Sequence, residues 1–199
     1  MLLKNFSNSK FEAGVDEAGR GSLAGPVFAA AVILPRNYKN SYLNDSKKIS
    51  EKKRYELKKI IENDAVDYSI FFIDPKKIDE INILKATITA MHKAIDGLKT
   101  KPDFILIDGN RFLNYQNIEH KCIIKGDSKY LSIAAASILA KTYRDIYMHD
   151  IHKKFPSYEW NKNKGYGTNY HIKMIKEKGL TEFHRKTFKL KSLQLKIKY

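Results

Sequence analysis

Asp16 and Glu17 directly follow the apolar stretch Phe11–Val15, and Asp108 directly follows the apolar run Phe104–Ile107. An unpartnered carboxylate is costly to bury, whereas the strand ends of α/β sheets are where sites are assembled. If the two strands lie side by side, three carboxylates meet. Like charges at that range raise one another's pKa, and a divalent cation relieves the conflict. Oxygen donors of this kind suit Mg²⁺ or Mn²⁺, and Mg²⁺ needs only one or two protein carboxylates beside water and substrate phosphate. A plainer reading stands beside this one: Asp is a common turn former, and Asp108-Gly109-Asn110 also reads as a turn.

The segment around the first pair favours the chemical reading. In Gly14–Pro26, GVDEAGRGSLAGP, five of thirteen residues are Gly or Pro. Gly19-Arg20-Gly21 lets backbone approach a ligand closely, because glycine has no Cβ and accepts positive φ. Arg20 adds a planar group with several donors, suited to phosphate. The Gly-x-x-x-x-Gly-Lys-Ser/Thr phosphate loop is absent.

The elements that must position these residues alternate between strand and helix, which argues an α/β domain. Phe11–Val15 and Val27–Leu34 read as strands around the glycine-rich turn. Ser50 is a candidate N-cap for a helix from Glu51. Val66–Ile73 alternates as a half-exposed strand and ends at Pro75. Ile81, Leu84, Ile88, Met91, Ile95 and Leu98 have the spacing of one amphipathic helix, closed off by Pro102. Phe104–Ile107 has the continuous apolar pattern of a strand buried on both faces, and Lys121–Ile124 suits a further short strand. Leu131, Ala135, Ile138, Leu139, Thr142 and Ile146 share one face of a long helix. Lys164-Gly165-Tyr166-Gly167 is a loop before a helix from about Thr168, for which Gly179 is a C-cap candidate. The basic stretch from Phe188 to Tyr199 suits a helix.

With 199 residues, the length suits one domain with a substantial core. A single cysteine, Cys122, excludes an intramolecular disulfide framework and a cysteine-based zinc site. His92, His120, His149, His152, His171 and His184 have no metal-ligand spacing. The longest apolar runs fall short of the ~18 residues of a membrane span, and the N-terminus lacks the apolar core of a secretory signal, so a cytoplasmic location is expected. The net charge of +15 is compatible with a nucleic-acid partner. However, 31 of the 37 basic residues are Lys, a bias that codon usage and solubility explain equally well.

At the level of motifs, the chain closely resembles bacterial type 2 ribonucleases H, the ribonuclease HII family. The matching pieces are GVDEAGRGSLAGPV (Gly14–Val27), LNDSKK (Leu43–Lys48), INILKAT (Ile81–Thr87), ILIDGN (Ile105–Asn110), KGDSKYLSIAAASILAKTYRD (Lys125–Asp145), KGYGT (Lys164–Thr168) and HRKTF (His184–Phe188). They follow the family's order over nearly the whole chain. Ser22 stands where the family more often has Pro, and the tail from Lys189 to Tyr199 matches nothing distinctive.

The resemblance implies an RNase H-like mixed β-sheet flanked by helices, with a smaller helical C-terminal part from about residue 168, all within one catalytic domain over residues 1–199. Asp16, Glu17, Asp108 and Asp127 would be four catalytic carboxylates holding two divalent ions, Mn²⁺ or Mg²⁺. Gly19, Arg20 and Gly21 would read the 2′-hydroxyl of a ribonucleotide, Tyr166 would stack on the following sugar, and Ser46 and Lys47 would touch phosphate. The implied activity is hydrolysis of RNA in RNA–DNA hybrids, and cutting 5′ of single ribonucleotides in duplex DNA to leave 5′-phosphate and 3′-hydroxyl ends. Type 3 relatives carry an extra N-terminal domain, for which about ten residues before the first strand leave no room.

Two alternatives are another RNase H-fold nuclease, such as a Holliday-junction resolvase, and a non-catalytic basic nucleic-acid-binding module. The DEAGRG and Gly-Tyr-Gly motifs argue against the first, and the intact carboxylates against the second. Arg185 and Lys186 are further candidates for phosphate contact. Asp145, beside Arg144 on a helix, is expected in a surface ion pair, with Asp145→Asn silent. The tail Gln194-Leu195-Lys196-Ile197 is weakly similar to a sliding-clamp peptide, though a basic helix end suits it better. A monomer is expected.

Overall fold

The computed structural model describes residues 2–43, 46 and 49–188. Lys47 and the tail from Lys189 to Tyr199, with its clamp-like peptide and expected helix, lie outside the described residues. Five strands form one mixed sheet: β1 (Glu12–Ala18), β2 (Val27–Ile33), β3 (Asp67–Ile73), β4 (Phe104–Asp108) and β5 (Glu119–Ile123), in the order β3-β2-β1-β4-β5. β1, β2 and β3 pair antiparallel, whereas β4 runs parallel to β1 and β5 parallel to β4.

Strand parity assigns the two faces. Ala13, Val15, Ala29, Ala31, Ile105 and Ile107 pack with Ala90, Met91 and Ala94 of α3 (Ile83–Asp96). On the other face, Ala30 and Val32 pack with Leu57 and Ile61 of α1 (Glu51–Asp64) and with the alanines of α4 (Leu131–Lys154). Small residues bring α4 unusually close to β1: a Cβ on Gly14 would overlap the backbone of Ser132 and Ile133. The smaller helical part contains α5 (Trp160–Asn163) and α6 (Asn169–Lys178). Ala24, Met148, Tyr158, Trp160, Met174 and Ile175 form its separate core. As expected, Ser50 caps α1 through Lys53 N–H at 3.3 Å, and Gly179 ends α6.

Three expectations need correction. β1 does not stop at Val15: Asp16 and Glu17 stay in the strand because their backbones pair with Ala30 and Ala29. The apolar spacing from Ile81 to Leu98 is not one helix. α2 (Pro75–Ile81) and α3 are separated by Asn82, whose φ is +66° and whose side chain caps α3 through the amides of Leu84 and Lys85. In α4, Leu131–Ala140 is buried all round, while Ile146 faces outward. The helix lies on the sheet at its N-terminal end and emerges from it later, so a single stripe does not describe it. Among the described residues, no helix is long and apolar enough to cross a membrane.

Candidate active site

β1 and β4 run side by side with Val15 opposite Ile107, so the next residues along, Asp16 and Asp108, are neighbours. Parity turns both toward the α4 face. Asp16 is 5% exposed, and its Oδ1 accepts the Glu17 amide at 2.7 Å. The Ser137 hydroxyl of α4 also donates to its carboxylate, and Ser137 is joined to Ser46 at 2.9 Å. Burial, and then the charges of Glu17 and Asp108, push the Asp16 carboxyl well above the usual range. Burial raises Glu17 too, against the pull of Arg20, whose Nη1 is 3.1 Å from Glu17 Oε1. Asp108 accepts the Gly126 amide at 2.6 Å.

These groups face a cleft of about 600 Å³ lined by Asp16 through Gly21, Ser46, Arg54, Asp108, Ser137, Lys141 and Tyr166. Gly19, Arg20 and Gly21 form one rim, and the half-exposed Tyr166 ring lines another part of the wall. Gly19 has φ +94°, and a Cβ there would overlap the Arg144 side chain, so glycine is required by both conformation and space. Ser46 lines the cleft, and its hydroxyl is hydrogen-bonded to that of Ser137 at 2.9 Å. Asp127 is buried in the turn Gly126–Ser128, next to the residue that holds Asp108, and is not among the residues lining the cleft.

The donor set of Asp16, Glu17 and Asp108 is all oxygen, and the pressure on Asp16 toward the neutral form is what a nearby cation would relieve. That chemistry fits Mg²⁺ or Mn²⁺. Among the described residues, no three His, Cys, Asp or Glu side chains close on one point as a complete cage. A hard ion that completes its shell with water and substrate oxygen needs no such cage.

Two expectations fail here. Arg185 does not face the cleft: it is 2% exposed and donates to the carbonyls of Gly19 (2.7 Å), Arg20 (2.9 Å) and Gly25 (2.9 Å), supporting the glycine loop from behind. The Lys186 amide is held by Asp79 at 2.9 Å, and Lys186 is an exposed residue that lines a different cleft, with Asp74, Asp79 and Tyr147. Asp145 is not at the surface and does not pair with Arg144. It is fully buried, 2.6 Å from Lys141 Nζ and 3.3 Å from Arg54 Nη2. Arg144 is itself buried and donates to the carbonyls of Ala24, Pro26 and Lys164.

Sequence reasoning missed Ser137, Lys141 and Arg54 as cleft residues. The four-residue step from Lys141 to Asp145 was a usable signal. Arg54 comes from α1, and nothing local ties it to the site.

A family model described as ribonuclease HII matches residues 13–191. The ribonuclease HII of Christiangramia forsetii is 60% identical over 196 residues, spanning 98% of this chain and 99% of that protein. The crystal structure of ribonuclease H2 from Pyrococcus horikoshii OT3 superposes with a TM-score of 0.77 at 24% identity, covering 90% of this chain and 94% of that one. Bst-RNase HIII in complex with Mn²⁺ gives a TM-score of 0.65 at 17% identity, covering 89% and 67%. The mixed sheet flanked by helices is thus the RNase H fold, as expected.

Proposed function

The chain belongs to the ribonuclease HII family, and we propose that its cleft cuts RNA–DNA hybrids and also cuts on the 5′ side of single ribonucleotides in duplex DNA. It is a hydrolytic endonuclease of the ribonuclease H class, and enzymes of this class use divalent metals. The observation that carries the finer reading is the convergence of Asp16, Glu17 and Asp108 on one cleft with the Gly19-Arg20-Gly21 loop and Tyr166 in its wall.

In this reading, Asp16, Glu17, Asp108 and Asp127 would hold two divalent cations, which when bound supply an activated water and stabilise charge on the departing 3′-oxygen. Mn²⁺ is the ion in the Bst-RNase HIII complex, and Mg²⁺ suits the same donors. Ser137, backed by Ser46, orients the Asp16 carboxylate. The backbone of the glycine loop comes close to the sugar edge and senses the 2′-hydroxyl, the group that separates RNA from DNA. Arg185 and Arg144 fix that loop, so its donors are arranged before substrate arrives. The Tyr166 ring packs on the sugar after the ribonucleotide. The products are 5′-phosphate and 3′-hydroxyl ends. On this reading the chain is one catalytic domain, working as a monomer in the cytoplasm.

Asp16→Asn keeps the shape of the side chain and one acceptor oxygen for the Glu17 amide, while removing its charge. The expected result is hybrid binding within roughly threefold of wild type and turnover reduced roughly a thousandfold, about 4 kcal/mol of transition-state stabilisation. Gel-shift and single-turnover assays on one hybrid read both. Near-normal turnover in Mg²⁺ would remove Asp16 from the catalytic set.

A further inference from the structure

Beneath Tyr166 lies a chain of buried imidazoles that the proposed chemistry does not use. His171 of α6 and His184 are 0% and 1% exposed. The Thr181 amide donates to His184 Nδ1 at 2.9 Å, so that nitrogen carries no proton and the His184 proton is on Nε2. Nε2 lies 3.2 Å from His171 Nε2, which also receives the Trp160 indole N–H at 3.0 Å. Facing two donors, His171 Nε2 must be the acceptor. Its proton is therefore on Nδ1, which donates to the Tyr166 carbonyl at 2.9 Å. Each donor in the chain meets an acceptor only when both imidazoles are neutral, and the buried surroundings favour that state.

The end of this chain is the turn that presents the Tyr166 ring. Gly165 has φ +78°, and a Cβ there would overlap the Ala24 carbonyl. With glycine on either side of Tyr166, the turn has no flanking side chains to fix it. The Arg144 guanidinium lies 5.5 Å from the centre of the Tyr166 ring, Asn163 Oδ1 accepts the Gly165 amide at 2.8 Å, and the contacts of the backbone carbonyls set the rest. The Gly165 carbonyl accepts the amides of Leu23 and Ala24, and the Tyr166 carbonyl accepts the Thr168 amide and His171. His171 is the side-chain donor among these contacts, and it links the turn to the core of the smaller helical part.

We infer that His171, oriented by His184 and Trp160, is a positioning residue for Tyr166. It holds the ring where it meets the sugar after the ribonucleotide, and so sets the preference for a lone ribonucleotide in DNA over a uniform hybrid. This rests on the role of Tyr166 proposed above.

Two isosteres separate the links. His171→Gln keeps an acceptor on the Nε2 side, for Trp160 and His184, and loses the donor to Tyr166. His171→Asn keeps a donor on the Nδ1 side and loses the acceptor. The preference is measured as the ratio of kcat/KM on a single-ribonucleotide duplex to that on a uniform hybrid, for both variants, wild type and Tyr166→Ala. Emission of Trp160, the only tryptophan, reports on the buried end of the chain. The expected result is a ratio lowered about tenfold in His171→Gln with emission unchanged, the size of one lost hydrogen bond. His171→Asn should keep the ratio and shift the emission. A ratio that follows emission or melting temperature in both variants, or that His171→Gln leaves untouched while Tyr166→Ala lowers it, overturns the inference alone. If Tyr166→Ala leaves the ratio unchanged, the reading of Tyr166 falls and the inference with it.

Discussion

At the residue scale, the cleft combines a crowded acidic end with cations held by a buried carboxylate. Asp145 keeps Lys141 and Arg54 in place, and Arg54 also donates to the carbonyls of Ser46 and Ile49. Removing one partner from a buried ionic group leaves the others without compensation. Asp145→Asn is therefore expected to lower stability by about 3 kcal/mol, read from urea denaturation. A change within roughly 0.5 kcal/mol, the range of ordinary surface substitutions, would contradict the burial assigned to it. The opposite sign governs His184, whose pKa burial, with His171 beside it, pulls down to about 4 from a usual value of 6.5. Between those values the unfolded chain binds the proton and the folded chain does not. The stability contributed by neutral His184 is full above pH 6.5 and is lost as pH falls toward 4, up to roughly 3 kcal/mol. Denaturation midpoints across this window should fall more steeply for wild type than for His184→Gln. Parallel curves would show that His184 binds its proton in the fold as readily as in the unfolded chain.

At the element scale, the site depends on how closely α4 lies on β1. The two approach at Gly14, where a side chain would strike the helix backbone at Ser132 and Ile133; two residues further along the strand stands Asp16, and five residues past Ser132 along the helix stands Ser137. Gly14→Ala should destabilise the protein by about 3 kcal/mol, the cost of an overpacked core position, and should slow cleavage by shifting Ser137 from Asp16. Wild-type stability, measured by thermal unfolding, would contradict that close approach. The adjacency of Asp16 and Asp108 was legible because a charged residue after an apolar strand run is a local signal. Strand parity then does the rest. The break at Asn82 was hidden because both flanking helices keep the apolar spacing across it. Arg185 was misread for a related reason: sequence shows a basic side chain, but not whether it meets phosphate or a set of backbone carbonyls more than 150 positions away. Burial of Asp145 was equally invisible, since its partner Arg54 lies on another helix.

At the scale of the whole molecule, the +15 charge and the acidic cleft have separate roles. A basic surface attracts any duplex through counterion release, without regard to sequence or sugar. In the proposed reading, cleavage belongs to the small acidic minority at the end of β1 and β4, and discrimination to the glycine loop beside it. The 31 lysines said little about the second role. The most direct test is a DNA duplex with one embedded ribonucleotide, incubated with Mg²⁺, Mn²⁺ or EDTA, with the cut mapped to the nucleotide. The account predicts a single cut on the 5′ side of the ribonucleotide, leaving 5′-phosphate and 3′-hydroxyl ends, in either metal and not in EDTA. An uncut duplex, a cut on the 3′ side, or cleavage that persists in EDTA would contradict it.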